Sequence, residues 1–258
     1  MPTKLYKILI LIIFSGLLNI FMISCEEKNI QLKQIKGKQV EINQFYNSDT
    51  TFIQFIQPYK NELQSKINTI LCYSPRVLTR KENELESSLG NIFADICFQK
   101  ADSIFSIKTG KTIDFALFNY DGIRTVIPKG NIKVKNIFEL MPFENMLVVA
   151  ELSGEQTQAL FNYLEKEKRA HPISHLKIEL KDEKLNKILI QDQPFDLSKK
   201  YHVLTHDYLQ HGGDHMDFFK NPLSLYQTEY KVRDALISYL TSIDTLRAEL
   251  DGRFVKID

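Results

Sequence analysis

Three short stretches carry residue types from which a small-molecule site can be built. They are Asn-Tyr-Asp-Gly-Ile-Arg at 119–124, Met-Pro-Phe-Glu-Asn at 141–145, and His-Asp-Tyr-Leu-Gln-His-Gly-Gly-Asp at 206–214. Each sets an aromatic ring, an Arg or an acid beside tight-turn residues. Brought together by a fold, a Phe, a Tyr, an Asn, an Arg and an Asp can hold a nucleotide. An aromatic face stacks on a base, contributing roughly 1–3 kcal/mol per base. An amide both donates and accepts, so it can read a base edge, and a carboxylate can accept from two vicinal hydroxyls. A guanidinium presents a planar fork of donors to a phosphate. The plainer alternatives are rings that fill the core, Asn side chains that cap turns, and an Arg in a surface ion pair.

The third stretch has a rival use. His206, His211 and His215, with Asp207, Asp214 and Asp217, are rich in metal-ligand types, as for zinc or manganese. The spacing matches no known metal motif, and the Gly-Gly between them would require an unusual loop. The simple alternative is a polar loop. His171 and His175 have i, i+4 spacing, but Pro172 argues against a helix through them and places them in a loop.

The elements that would position these residues are mixed. Residues 57–67 suit a helix and Thr69–Tyr73 a short strand. Ser88 is a candidate N-cap for a helix with the stripe Leu89, Ile92, Phe93, Ile96 and Cys97. Ile113–Phe118 read as a buried strand, broken sharply by Asn119–Gly122. A second turn at 127–130 precedes a short helix over 134–140. Asn145–Leu152 form a strongly apolar strand, and Ser153 starts a helix over 154–165. A hairpin pairs His175–Leu180 with Lys187–Ile190. Tyr201–Thr205 is a strand, Val232–Leu240 a helix and Arg253–Ile257 a last strand. With no repeat and no low-complexity linker, the pattern predicts a single layered α/β (α+β) domain over 51–258.

The chain's 258 residues are enough to bury a sizeable core. A formal net charge of +1 argues against nucleic-acid binding driven by a basic surface. Lys4 and Lys7 precede an apolar run from Ile8 to Phe21, which reads as a secretory signal over 1–25. Ser24 before Cys25 matches a lipobox, so Cys25 is the expected lipidation site; a plain N-terminal membrane helix is the alternative. Residues 26–50 read as a tether. The body is expected in the cell envelope, lipid-anchored, facing the periplasm or the surface. Cys72 and Cys97 could form one disulfide, but Cys97, within its apolar stripe, reads better as a buried thiol.

Several motifs occur in one order: Glu86 to Asn91, Asn119 to Arg124, Ile127-Pro-Lys-Gly-Asn-Ile132, Leu140 to Val149, Glu151-Leu-Ser-Gly154, Pro172-Ile-Ser174, Tyr201 to Thr205 and Tyr208 to Asp214. Together they resemble the C-terminal, substrate-binding domain of the 5′-nucleotidase family, which includes UDP-sugar hydrolases and cyclic-nucleotide phosphodiesterases. The resemblance implies that Phe143 and Tyr208 sandwich a base and that Asn119 reaches it, with Asn145 as an aid. It implies Asp214 on the ribose hydroxyls and Arg124 at the phosphate. Tyr120 and Asp121 replace two glycines of the family's motif, and an acid there is expected to weaken phosphate binding. Asn83 stands where the family often has Arg, with Arg80 nearby but out of register.

Complete members of the family also carry a metallophosphatase domain with Asp-x-His and Gly-Asn-His-Asp/Glu motifs. Neither occurs in this sequence, whose six histidines all lie at or after position 171. The expectation is a recognition domain for a nucleoside or nucleotide that acts with a separate metallophosphatase chain. That partner would hold the divalent metals, and this chain would need no cofactor of its own. The alternatives are a stand-alone nucleoside-binding lipoprotein and an independent metal hydrolase built on the His206–Asp217 cluster.

Overall fold

The computed structural model describes residues 34–257, with Tyr6, Lys7, residues 10–14 and Leu32. Cys25 and its lipobox lie outside the described residues. The chain divides into two units, 1–53 and 54–258. In the first, residues 34–49 form neither helix nor strand. Helix α1 (Thr50–Ile67) begins seven residues earlier than the expected position 57. Asp49 explains the early start: its Oδ1 accepts the N–H groups of Thr51 and Phe52 at 2.9 and 3.1 Å. No residue of α1 is buried.

The second unit is built around a five-stranded sheet of order β10-β4-β9-β2-β5. Its strands are β2 (Phe115–Leu117), β4 (Met146–Leu152), β5 (Ile173–Ser174), β9 (Tyr201–His206) and β10 (Ser224–Lys231). Only β2 and β9 pair in parallel within it. Successive side chains on a strand point to opposite faces. Leu147 and Val149 of β4 thus join one core with Leu204, while Ala150 and Leu152 join another with Val203. Helices α2 (Ser88–Thr109) and α6 (Val232–Thr241) cover the first face, and α4 (Gly154–Glu167) covers the second. Burial on both faces is why β4 reads as a continuous apolar run. The expected layered α/β domain is what forms.

A second sheet, β11-β6-β7-β8, with β8 at Gln193–Pro194, packs on the α4 side. Strands β6 (Leu176–Lys181) and β7 (Lys184–Ile190) make the expected hairpin, with Asp182 and Glu183 at positive φ in its turn. Strand β11 (Phe254–Ile257) runs parallel to β6, with Phe254 opposite Ile178. Arg253 anchors it, donating to Asp95, Asp251 and the carbonyl of Ile173. Glu86 accepts from the backbone of Asp251 and Gly252 and from Asn91, tying the same segment to α2. A two-stranded ribbon of β1 (Ile70–Ser74) and β3 (Gly130–Lys133) and the short helix α3 (Val134–Leu140) complete the main framework.

One further local expectation changes. The N-cap of α2 is Ser87, whose Oγ accepts from Gly90 N–H at 3.0 Å. Ser88 instead sits in the first turn and donates to Glu82. Cys72 and Cys97 are both buried free thiols. Burial pushes Cys72 up to about 11 and raises Cys97 further.

The topology carries the site segments to one place. Because β2 and β9 are parallel, both end at the same edge of the sheet, delivering Asn119 and the segment from His206. Strand β4 runs antiparallel to β9, with Leu147 opposite His206, so it begins at that edge. Phe143 and Asn145 just precede it.

Two histidines near that edge are buried, His171 and His206. Desolvation holds His206 down at about 3 and His171 at about 4. In an unfolded chain both titrate near 6.5. Below about pH 6.5 the unfolded chain therefore binds protons that the folded one refuses, and stability falls with pH. The urea midpoint is expected to drop between pH 7 and pH 4.5. Either His171→Phe or His206→Leu should flatten that drop by the equivalent of one proton, at most about 1.4 kcal/mol per pH unit. An identical pH slope in both variants would refute the assignment.

Candidate functional site

A cleft of about 250 Å³ opens at this sheet edge. Asn119, Asp121, Gly122, Arg124, Phe143, Asn145, Tyr208 and Asp214 line it. The six side chains expected to bind a ligand, drawn from three separate stretches, thus border one space. Neither ring is in the core: Phe143 is 39% and Tyr208 48% exposed.

The Phe143 turn is held from below by Arg233, a buried side chain of α6. Its guanidinium donates to the carbonyls of Met141 and Phe143, each at 3.4 Å, and pairs with Glu144. Lys231 pairs with the same carboxylate. Tyr208 lies in a one-turn helix, α5 (Asp207–Gln210), which directly follows β9. Its ring packs on Gly213, where an added Cβ would come within 2.4 Å of a ring carbon.

Asp214 is the hub. Its Oδ2 accepts from Asn119 Nδ2 at 2.6 Å and its Oδ1 from the Tyr208 hydroxyl at 2.9 Å. Its carbonyl accepts from the Tyr163 hydroxyl of α4 at 3.1 Å. Asp214 has φ +53°, and Gly212 ahead of it has φ +87°. Asn119 makes no capping bond for the 3₁₀ turn Tyr120–Gly122 that follows it. Its oxygen packs where a Cβ on Gly122 would lie only 2.5 Å away. Behind the cleft, His206 Nε2 is 3.2 Å from Asn119 Oδ1, and its Nδ1 is 3.4 Å from Asn145 Nδ2.

The charged rim differs from what Asp121 alone suggested. Its carboxylate is gripped by Arg80 at 3.1 Å and by both terminal nitrogens of Arg169 at 2.9 and 3.2 Å. The same two guanidiniums lie over the Tyr120 ring, each 4.3 Å from its centre. Partial burial works to raise the Asp121 pKa, but the two arginines outweigh it and hold the carboxyl below its ordinary value. Arg124 donates to the Asp121 carbonyl at 3.3 Å and stands 5.9 Å from the Phe143 ring centre. Among the described residues it makes no ion pair.

The rival metal cluster does not assemble. His206 is buried against Asn119 and Asn145. His211 Nδ1 faces the Asp207 carbonyl at 2.7 Å, and Asp217 pairs with Lys220. Among the described residues no three His, Cys, Asp or Glu side chains are grouped as metal ligands. Sequence inspection missed Tyr163, Arg169 and Arg233 as supports, and nothing local in the sequence marks them. His171 and His175 do lie in loops, but His171 is buried, with its Nδ1 3.2 Å from the Tyr120 N–H.

Residues 65–221 match the family model described as "5'-nucleotidase, C-terminal domain". A 5′-nucleotidase-related protein of Glossina morsitans morsitans is 23% identical over 257 residues, covering 90% of this chain and 46% of the relative. Protein UshA of Escherichia coli (strain K12) is 29% identical over 134 residues, covering 49% of this chain and 24% of the relative. Among solved structures, a 5′-nucleotidase precursor from Thermus thermophilus has the same fold. Its TM-score is 0.66 at 24% identity, covering 81% of this chain and 43% of that one. The chain thus spans less than half the length of each of these relatives. By the match over residues 65–221, it belongs to the 5′-nucleotidase C-terminal domain family.

Proposed function

We propose that this chain recognises a nucleoside or nucleotide in the cleft between β2, β4 and β9. The convergence of the six motif residues on that one cleft carries the proposal. Phe143 and Tyr208 stack on the base, Asn119 and Asn145 meet its edge, and Asp214 accepts from the ribose hydroxyls. Arg124 faces a phosphate. The Arg80 and Arg169 grip on Asp121 supports this last role, because the acid's charge is already met. With Asp121 held by Arg80 and Arg169, Arg124 is left without an acidic partner among the described residues.

Hydrolysis is assigned to a separate metallophosphatase chain, which would hold the divalent metals while this chain positions the substrate. Lys4, Lys7, the apolar run to Phe21 and Ser24-Cys25 support an extracytoplasmic, lipid-anchored location. The acyl chains would supply membrane affinity, roughly 0.8 kcal/mol per buried methylene.

Calorimetry with adenosine, AMP and UDP-glucose tests the cleft. Phe143→Ala and Tyr208→Ala should each weaken adenosine binding roughly 5- to 150-fold, the equivalent of a lost stack. Arg124→Ala should weaken AMP by about tenfold or more and leave adenosine nearly unchanged. Unaltered adenosine binding in the Phe143→Ala/Tyr208→Ala double variant would remove the stacking assignment. The purified chain supplied with Mn²⁺ or Zn²⁺ should release no phosphate from AMP, whereas adding the metallophosphatase chain should restore release. Metal-dependent release by this chain alone would overturn the division of labour. Cys25→Ser should move the protein from the membrane fraction to the soluble one, and retention there would count against lipidation.

A further inference from the structure

The hydrogen bonds around His206 have a direction that two of their members cannot reverse. At one end is the Asp214 carboxylate, 2.6 Å from Asn119 Nδ2. Turning that amide over would set oxygen against oxygen. Asn119 Oδ1 therefore faces His206 Nε2, at 3.2 Å, and Nε2 must carry the proton. At the other end is the backbone N–H of Leu209, 3.4 Å from His206 Nδ1. A backbone N–H only donates, so Nδ1 must carry the lone pair. The two ends demand the same neutral tautomer independently. Asn145 turns its Nδ2 to that lone pair, also at 3.4 Å.

One amide orientation at the cleft, that of Asn145, is thereby set by His206, while Asp214 holds that of Asn119. Asn119 has spent its oxygen on His206 and one N–H on Asp214, leaving its second N–H for a ligand. Asn145 has spent an N–H on His206, leaving its oxygen as an acceptor. Without the ring, the Asn145 amide is free to present either end to the 6-substituent of a base, while Asp214 still holds Asn119.

We infer that His206 is a positioning residue that makes the cleft select 6-amino purines over 6-oxo purines. The inference rests on the nucleoside reading of the cleft. A 6-amino purine offers a ring acceptor for the Asn119 N–H next to an amine donor for the Asn145 oxygen. This holds on either of its edges, through N1 or through N7. A 6-oxo purine held in the same pose sets its oxygen against the Asn145 oxygen. On the N1 edge it also sets N–H against N–H. The ribose on Asp214 and the flanking rings prevent it from turning over to escape. A buried polar group left facing a like group loses about 1–3 kcal/mol, so discrimination of roughly 5- to 150-fold is expected.

The test compares adenosine with inosine by calorimetry on the full chain, its His206→Leu variant and its His206→Gln variant. Near-ultraviolet dichroism checks that each variant is folded. The parent should favour adenosine by the stated factor. His206→Leu should lower the ratio several-fold, while His206→Gln, whose amide oxygen can accept from Asn145, should retain part of it. A ratio unchanged in His206→Leu, or a parent that binds both nucleosides equally, would overturn the role of His206 and leave the cleft reading standing. A parent that binds neither nucleoside would overturn the cleft reading as well. If the variants do not fold, long-range ¹⁵N–¹H spectra of the parent's imidazole decide. A proton on Nε2 supports the inference, and a proton on Nδ1 ends it.

Discussion

The parallel pairing of β2 with β9 is the constraint on which the rest depends. Phe115 lies opposite Val203 and Ala116 opposite Leu204. With that register, the ends of both strands coincide, and the antiparallel β4 must begin where they finish. Three stretches far apart in sequence then meet at one end of the sheet. Both faces of the sheet are covered by helices, so a one-residue slip would exchange the two cores and expose neither to water. The misfit in side-chain volumes, such as Phe115 and Phe118 on opposite faces, is what makes the register specific.

Polar groups at the edge are arranged around one carboxylate. Asp214 receives Asn119 and Tyr208 through its side chain and Tyr163 through its backbone. These bonds hold a residue in left-handed backbone conformation that it would rarely adopt alone. A few ångströms of cleft thus draw support from β2, α4, α5 and the turn after it. The second carboxylate, Asp121, is treated differently. It is answered by two arginines that also stack on the neighbouring Tyr120, so both departures from the family's glycines are absorbed by one cluster.

What could be read from the sequence follows from the range of the physics. Strands such as Met146–Leu152 and the hairpin at 176–190 announce themselves through local periodicity and turn residues. Phe143, Tyr208, Asn119 and Asp214 stood out because their chemistry sits inside short motifs. Arg169 meets Asp121 from 48 positions away, and no local pattern predicts that encounter. His206 looked like a metal ligand by type. Its actual neighbours, two amides and a backbone N–H, become visible only once β9 is placed beside β2 and β4. The cap of α2 fell one residue out because Ser87 and Ser88 are chemically identical, and only the bond to Gly90 separates them.

The manner in which the last strand is fastened has a consequence for the order of assembly. Strand β11 closes against β6, with Phe254 opposite Ile178, and Glu86 and Asp95 of the α2 region clasp it through Gly252 and Arg253. Segments far apart in the unit are therefore stitched together by this closure. A chain emerging from its amino end has the strands bordering the cleft available well before Arg253 appears. Until then Asp95 and Glu86 lack their partners and one side of β6 is an open edge. Such long-range closure slows folding and leaves an interval in which the nascent chain is loose. For a chain exported across a membrane, as proposed for this one, looseness until Arg253 reaches Asp95 is an asset and not a fault.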